Sequence, residues 1–433
     1  MLAILTSHPI QYQVPIWQAL AASGAIPFEV WYLTDHGVKP SRDVEFGKRF
    51  AWDLDLLSGY RHQFLKVDDD WDLKRFRGIR LRENLTERLH SQRVRALWIE
   101  GWRFSAFWKA VGAAKRNGVN VWMRGDSNDL KRERLWKRLP KRTILGRHLK
   151  RVDRFLCVGS ANRRLYESYG IGRSKLISTP HCVDNDRFAE QAAESRRGRN
   201  DLRAKWRIPP NAFCFLFCGS FINLKRPLDL VEATKQLMQA SGSQSPVHLL
   251  FVGGGQLGAE LRRQCRVAFD ADASAAVDGS QGTKAACGSV PREGATAEEP
   301  SGSGAFPPIP DASFAGFLNQ SEIASAYAAA DAIVLPSESE TWGLVVNEAM
   351  ACGIPAVVSD HCGCAEDLPA RVDKRLVFRC GDIDDLARAM GIALNAKTPS
   401  EDIANAVDAH HLRHTVRAIE ELYRELTLAT LQK

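Results

Sequence analysis

The chain runs to 433 residues, 45% apolar and 25% charged, with a formal net charge of +8. That length exceeds one core of ordinary size, so two domains of roughly 150 to 200 residues are expected, and the composition is that of a globular chain. No stretch approaches the roughly 18 uninterrupted apolar residues that span a bilayer, and "MLAILTSHPI" has no basic leader, so it reads as a first strand and the expected location is cytoplasmic.

In chain order, strand-like runs alternate with helical patterns: "LAILTS" and a helix over 15–23, "FEVWYL", "ALWIEG" and a helix over 105–117, "NVWMRG", "RFLCVGS" and a helix over 161–169, then "KLISTP". Such alternation implies βαβ units on a parallel sheet. The first domain, 1–188, is expected to end near Phe188. Between Lys115 and Arg154, 14 Lys and Arg face 4 Asp and Glu, a local +10 that leaves the rest of the chain at −2. The segment "DLKRERLWKRLPKRTILGRHLKRVDRF" interleaves Leu and Trp with basic residues, as an amphipathic surface helix interrupted near Pro140 would. A solvated face, an anionic membrane surface and nucleic acid are the readings of that charge. No base-reading motif accompanies it, so nucleic acid is not expected as a partner.

The polar stretch 189–207, "AEQAAESRRGRNDLRAKWR", reads as a linker. A second alternating series fills 208–403: "FCFLFCGS", "VHLLFVGG", "ASFAGF", "DAIVLPS", "IPAVVSD" and "RLVFRC". The fold class is therefore α/β, with two doubly wound, Rossmann-like domains facing across a cleft where strand carboxyl ends meet. Residues 266–312, rich in Ala, Gly, Ser and Pro, lack apolar periodicity and read as a disordered loop insertion belonging to neither sheet. The final pattern, 404–433, reads as one long helix. The ten cysteines are scattered, several in strand-like runs such as Cys214 and Cys218, and read as buried thiols. Cys362 and Cys364 lack the second pair that a zinc site would need, so no metal is expected.

The stretch with the most chemistry is "PSESETWGLVVNEAMACGIPAVVSD", 336–360. Glu340 falls in a loop after a strand, whereas Glu348 lies inside an apolar pattern that reads as a short helix starting near Gly343. The first amides of that helix, at Gly343 and Leu344, lack internal partners and with the helix dipole favour an anion such as a phosphate by up to about 2 kcal/mol. Carboxylates on either side suit hydroxyl donors, of which a sugar has several. The plainer alternative makes Ser337 and Glu340 a helix cap and Glu348 an exposed helix glutamate.

Glu340 and Glu348, seven residues between them, resemble the donor-site motif of the retaining GT-B glycosyltransferases of family four. "PHCVDNDRF", "CGSFINLKRPLDLVEA", "FVGGGQLGAEL", "FAGFLNQSEIASAYAAADAIVLPS" and "CGDIDDLARAM" agree with that family in order and spacing. The resemblance implies that Glu348 binds the ribose of a nucleotide, that Glu340 binds the transferred sugar, and that Gly343 and Leu344 hold the diphosphate. It also implies that Lys225 meets the phosphates, with Arg226 assisting, and that Gly219, Ser220, Gly254, Gly255, Phe317 and Trp342 border the donor. No cofactor is implied. A departure stands at Ser220, where the family commonly has an arginine after the glycine. "VGGGQLG" also satisfies G-x-G-x-x-G, but the acidic residue that a dinucleotide site needs about 20 positions on would fall in the low-complexity insertion.

In the first domain, "TSHPIQYQVPIWQAL" places His8 in the loop after strand one, beside Gln11 and Tyr12, and resembles envelope-polysaccharide glycosyltransferases. Where the family often has a His-Asp pair, this chain has "RGDSND", so Asp126 takes the place of the Asp while Arg124 and Gly125 replace the His. The resemblance thus implies a catalytic set of Lys225, Glu340, His8 and Asp126, without metal. The implied partners are a nucleotide-sugar donor, a lipid-linked or glycan acceptor, and an anionic membrane surface through 115–154. A non-catalytic nucleotide-sugar binder on the same fold and a basic nucleic-acid binder are the alternatives.

Overall fold

The computed structural model describes every residue except 39–40, 43–48, 51, 131–134, 242–245, 274–307, 397 and 432–433; of 41–42, 49–50, 135–141, 241 and 430–431 it describes the backbone alone. Among the described residues the strands are β1 Leu2–Thr6, β2 Phe28–Tyr32, β3 Ser41–Arg42, β4 Arg49–Phe50, β5 His62–Phe64, β6 Ala96–Glu100, β7 Asn120–Gly125, β8 Arg154–Cys157, β9 Leu176–Ser178, β10 Phe213–Cys218, β11 Val247–Val252, β12 Arg266–Asp270, β13 Asp311–Gly316, β14 Ala332–Leu335, β15 Ala356–Ser359 and β16 Val377–Phe378. Two parallel sheets of seven strands result, ordered β5-β2-β1-β6-β7-β8-β9 and β12-β13-β11-β10-β14-β15-β16, while β3 and β4 pair antiparallel on their own.

Strands such as Leu2–Thr6 and Val247–Val252 are buried at every position, as strands covered by helices on both faces must be. In the first sheet Trp17, from the helix Val14–Ser23, meets Trp98 edge-on at 4.9 Å. In the second, Phe251 and Phe314 stack at 5.1 Å. Each sheet reverses its winding once, between β1 and β6 in the first and between β10 and β14 in the second. Such reversals open a crevice at the strand carboxyl ends. The loops that leave those four strands carry the residues considered below.

Several boundaries differ from the sequence reading. Phe188 is buried among second-domain residues, and the stretch read as a linker, 189–207, forms most of two helices, Asn185–Arg197 and Arg199–Lys205. The cause is amphipathicity: Phe188, Ala192 and Trp206 are hidden while Glu190, Glu194 and Arg197 between them stay in water. The segment 266–312 is not wholly outside the sheets, because its first residues form β12 and pair in parallel with β13. β12 is a five-residue edge strand, too short to show periodicity beside a polar tract. Residues 274–307, and with them the call for disorder, lie outside the described residues.

The helix Leu135–Leu149 runs unbroken through Pro140, where an interruption was expected. A proline early in a helix forfeits one backbone bond and leaves later turns intact. The expected single C-terminal helix is two, Ser400–Asp408 and Leu412–Leu431. Between them His410 Nδ1 lies 3.1 Å from the carbonyl of His181, and the chain crosses back to the first domain. There Val416, Ile419, Leu422 and Tyr423 complete the core around Trp17.

Candidate active site

At the winding reversal of the second sheet, the loop after β10 meets the loop after β14. The Glu338 amide donates to the Leu224 carbonyl at 2.9 Å. Beside that bond the Lys225 ammonium pairs with the Glu340 carboxylate, and their side chains are only 22% and 16% exposed. The Ser337 hydroxyl donates to the same Glu340 oxygen at 3.4 Å. Lys225 itself ends a short 3-10 turn, Asn223–Lys225. Two sequence-distant charges thus meet in a shielded place, where Coulomb attraction is screened less than at an open surface.

Gly343 follows at once and starts the helix Leu344–Ala351. Its φ is +105°, and a Cβ there would stand 3.0 Å from Leu335 Cδ2 and 3.2 Å from Cys364 Sγ. Only glycine suits this turn, which sets the helix start beside Glu340. No side chain caps that start.

Glu348, in the same helix, is 9% exposed, unlike an ordinary surface glutamate. The Tyr327 hydroxyl donates to it at 2.6 Å. Burial raises its carboxyl above the ordinary range, while the Tyr327 hydroxyl and the Arg187 charge pull the other way. Arg187 is held in turn by the Gln320 carbonyl at 3.1 Å and side chain at 2.9 Å. Next to Glu348, at the carboxyl end of β10, burial and that carboxylate push the Cys218 thiol up to about 12.

The glycine loops after β10, β11 and β13 interlock. Gly219 donates to Val252 at 3.0 Å, Phe221 to Gly254 at 2.7 Å and Gly253 to Gly316 at 2.8 Å. A Cβ on Gly253 would lie 2.1 Å from the Gly219 carbonyl oxygen, so backbone packs directly on backbone. Gly219, Ser220, Gly254, Gly255 and Phe317 are thereby gathered at the ends of three neighbouring strands. Ser220 is buried, and the space beyond the Gly254 Cα is open.

Two residues expected at the donor are turned elsewhere. The Arg226 side chain pairs with Asp229 at 2.7 Å and stands over Gly381. Trp342 is 2% exposed, gives its indole N–H to Asn347 at 2.6 Å, and lies against Gly159 and the rings of His181 and His410 at 5.6 and 5.2 Å. An indole of that size contributes more as a sealed wall between domains than as a ligand surface.

In the first domain a cleft of about 780 Å³ opens at the carboxyl ends of β1, β6 and β7, with Thr341 closing it from the second domain. His8 lines it, with Nδ1 2.8 Å from the Ser7 hydroxyl and its ring edge-on to His36 at 5.1 Å. Burial, then the charges of His36 and Arg103, push the His8 imidazole down to about 4. Asp126 accepts from the Thr341 hydroxyl at 2.8 Å. Asn128 donates to the carbonyls of Glu340 at 3.0 Å and Thr341 at 2.9 Å. Lys225, Glu340, Gly343 and Asp126 therefore share one seam, and His8 lies in the cleft that borders it.

Sequence reasoning overlooked Glu100 and Tyr327. Tyr327 belongs to an alanine-rich helix and carries no local signal. Glu100 carried one, a charge at the carboxyl end of the apolar run "ALWIEG", where open α/β sheets bind ligands. Burial lifts its carboxyl to about 7, Arg124 opposing and Asp126 adding to the rise. Among the described residues no three His, Cys, Asp or Glu side chains are grouped to hold a metal ion, and no helix is long and apolar enough to cross a membrane.

Residues 309–409 match the family described as glycosyl transferases group 1. The sulfoquinovosyl transferase of Arabidopsis thaliana is 35% identical over 107 residues, 24% of this chain and 21% of that protein. The D-inositol 3-phosphate glycosyltransferase of Kineococcus radiotolerans is 29% identical over 209 residues, 48% of this chain and 40% of that protein. The alignments take in between 21% and 49% of the length of such curated relatives. Solved structures share the whole fold: a glycosyltransferase from Rickettsia africae superposes with TM-score 0.64 at 14% identity, covering 98% of both chains. The Anabaena HepE protein in complex with UDP and glucose gives 0.58 at 14% identity, covering 99% of both. Two facing sheets of this topology make the GT-B fold.

Proposed function

From residues 309–409, which match group 1 glycosyl transferases in the second domain of a GT-B fold, we propose a retaining, metal-independent hexosyl transfer. The donor is a UDP- or GDP-sugar and the acceptor a lipid-linked or polysaccharide chain. The setting is cell-envelope polysaccharide synthesis at the cytoplasmic face of the membrane, with the excess charge of 115–154 toward anionic lipid. One observation carries the reading: Lys225 meets Glu340 at the second sheet's winding reversal, beside the helix start at Gly343.

The bond to be broken joins the anomeric carbon to a phosphate oxygen. As it breaks, negative charge gathers on the diphosphate and positive charge on the sugar. Lys225 and the amides at Gly343 and Leu344 face the first, and Glu340 takes hydroxyls of the second. Because the two side chains touch, the groups they hold lie side by side, flanking that bond. Fixed donors of this kind bind the departing diphosphate more strongly than the intact donor, and that difference lowers the barrier. Glu348, steadied by Tyr327, receives the ribose. The acceptor hydroxyl attacks from the face that the diphosphate leaves, and the departing phosphate takes its proton.

A thermal-shift panel of UDP, GDP, ADP and their hexose conjugates, followed by turnover of any conjugate that binds, tests this. Ligand at 100 times its Kd adds about 2.7 kcal/mol to stability. Stabilisation by none of them ends the proposal, and binding without turnover leaves a nucleotide-sugar sensor.

A further inference from the structure

The cleft of the first domain holds an uncompensated pair. Glu100 and Arg124 are direct partners in the register of β6 and β7, and both line the cleft. Yet no ion pair joins them within 4.0 Å among the described residues. Glu100 as a residue keeps some surface toward the cleft, but its Oε1 is sealed from water without a hydrogen-bond partner of good geometry, although the Trp98 indole bears on the carboxyl. Arg124 is 2% exposed, its Nε is likewise without a partner, and the one hydrogen bond of its side chain among the described residues, to the Pro180 carbonyl, is long at 3.5 Å. A buried polar atom left unmet is worth about 1 to 3 kcal/mol of lost stability, and native folds seldom leave two in one place without strain, water, an ion or another ligand to account for them.

The surroundings say which ligand. Besides Arg124, the ionisable groups that bear on Glu100 are Asp126, Tyr12 and Tyr166, while Lys74 and Arg103 also line the cleft, so its carboxyls are not in excess. Glu100 and Arg124 themselves, opposite in sign and side by side, present no net charge for a phosphate or carboxylate to answer. Trp52 and Trp102 also line the cleft and offer flat apolar faces. Carboxyl acceptors, a guanidinium donor and indole faces together suit a ring with several hydroxyls and no charge. Thr341, hydrogen-bonded to Asp126, puts such a ring next to Glu340.

We propose that Glu100 and Arg124 bind the acceptor, and that the acceptor's receiving unit is a neutral pyranose whose hydroxyls donate to Glu100 and accept from Arg124. The assignment rests on the transferase reading, yet its test needs neither donor nor turnover. Saturation-transfer NMR on the full chain at pH 7.5 uses methyl gluco-, manno- and galactopyranosides as neutral probes and glucose 6-phosphate as the anionic one. At least one neutral glycoside is expected to bind, at least fivefold more weakly in Glu100→Ala and more weakly also in the isosteric Glu100→Gln, both checked for native circular dichroism. Between pH 6 and 8 its binding should strengthen in the wild type, as the carboxyl ionises and becomes the better acceptor, and stay level in Glu100→Gln. The assignment is overturned if no neutral glycoside binds, if binding is equal in Glu100→Ala, if the pH response survives in Glu100→Gln, or if glucose 6-phosphate binds best. UDP binding on the same samples separates the two readings: UDP bound without any pyranoside defeats this assignment alone, and a pyranoside bound without any nucleotide defeats the donor site alone.

Discussion

The two winding reversals have the same topology and opposite states of compensation. In the second domain the crevice is closed by the protein's own charges, Lys225 against Glu340. In the first, Glu100 and Arg124 stand side by side without an ion pair among the described residues. On the proposed function a diphosphate draws Lys225 from the Glu340 carboxylate, its charge being enough for a self-paired site. A neutral sugar has no such leverage and needs polar groups that are still unsatisfied. If both proposals hold, the contrast teaches that what enters a crevice is to be read from its side chains and not from the fold around it.

Four experiments strain that contrast, taken from the largest effect downward. Lys225→Ala should lower hexosyl transfer at least tenfold with circular dichroism unchanged, since one charge-assisted bond, about 1.5 to 3 kcal/mol, is lost; unchanged turnover removes Lys225 from the chemistry. Glu348→Gln should weaken UDP or GDP binding several-fold in calorimetry, and more than Glu340→Gln does, because Glu348 is assigned the ribose and Glu340 the sugar. The reverse order exchanges their roles.

Glu100→Gln should raise the melting temperature by a few degrees at pH 8 and leave it unchanged near pH 4.5. The sign follows from a folded pKa lifted to about 7: the folded state holds its proton more tightly than the unfolded chain, so stability falls as pH rises from about 4.3 to 7 and stays lowered above. A lower melting temperature at pH 8 would mean that Glu100 is compensated after all. Smallest of all, in Glu100→Gln the pH profile of acceptor binding should show no inflection near 6.5 due to His8, whose imidazole burial pushes down to about 4. An inflection there that disappears in His8→Asn would contradict its burial.

Much of this was legible in the residues. Alternating apolar runs gave both sheets, and the spacing of Glu340, Gly343 and Glu348 marked the second crevice because glycine and charge are conspicuous in an apolar stretch. What stayed hidden was tertiary. Trp342 looks like a ligand platform until Gly159 is found beneath it. Phe188 reads as the end of the first domain and Trp206, among charges, as linker, although both belong to the second core. Glu100 resembles the solvent end of any strand, and only the neighbouring strand's register puts a buried guanidinium beside it. Arg226 follows a lysine that pairs with Glu340, yet its own φ of +50° turns it toward Asp229.

The return of the chain from one domain to the other has a mechanical sequel. Near His181 the polypeptide leaves the first body, near His410 it comes back, and the two passages touch. Two bodies tethered once would tumble about their leash, whereas two adjoining straps act as a door's paired knuckles and permit swing about a single line. Opening and shutting would then bring the same two walls together on every stroke, with the ring-lined seam of Trp342 as the jamb.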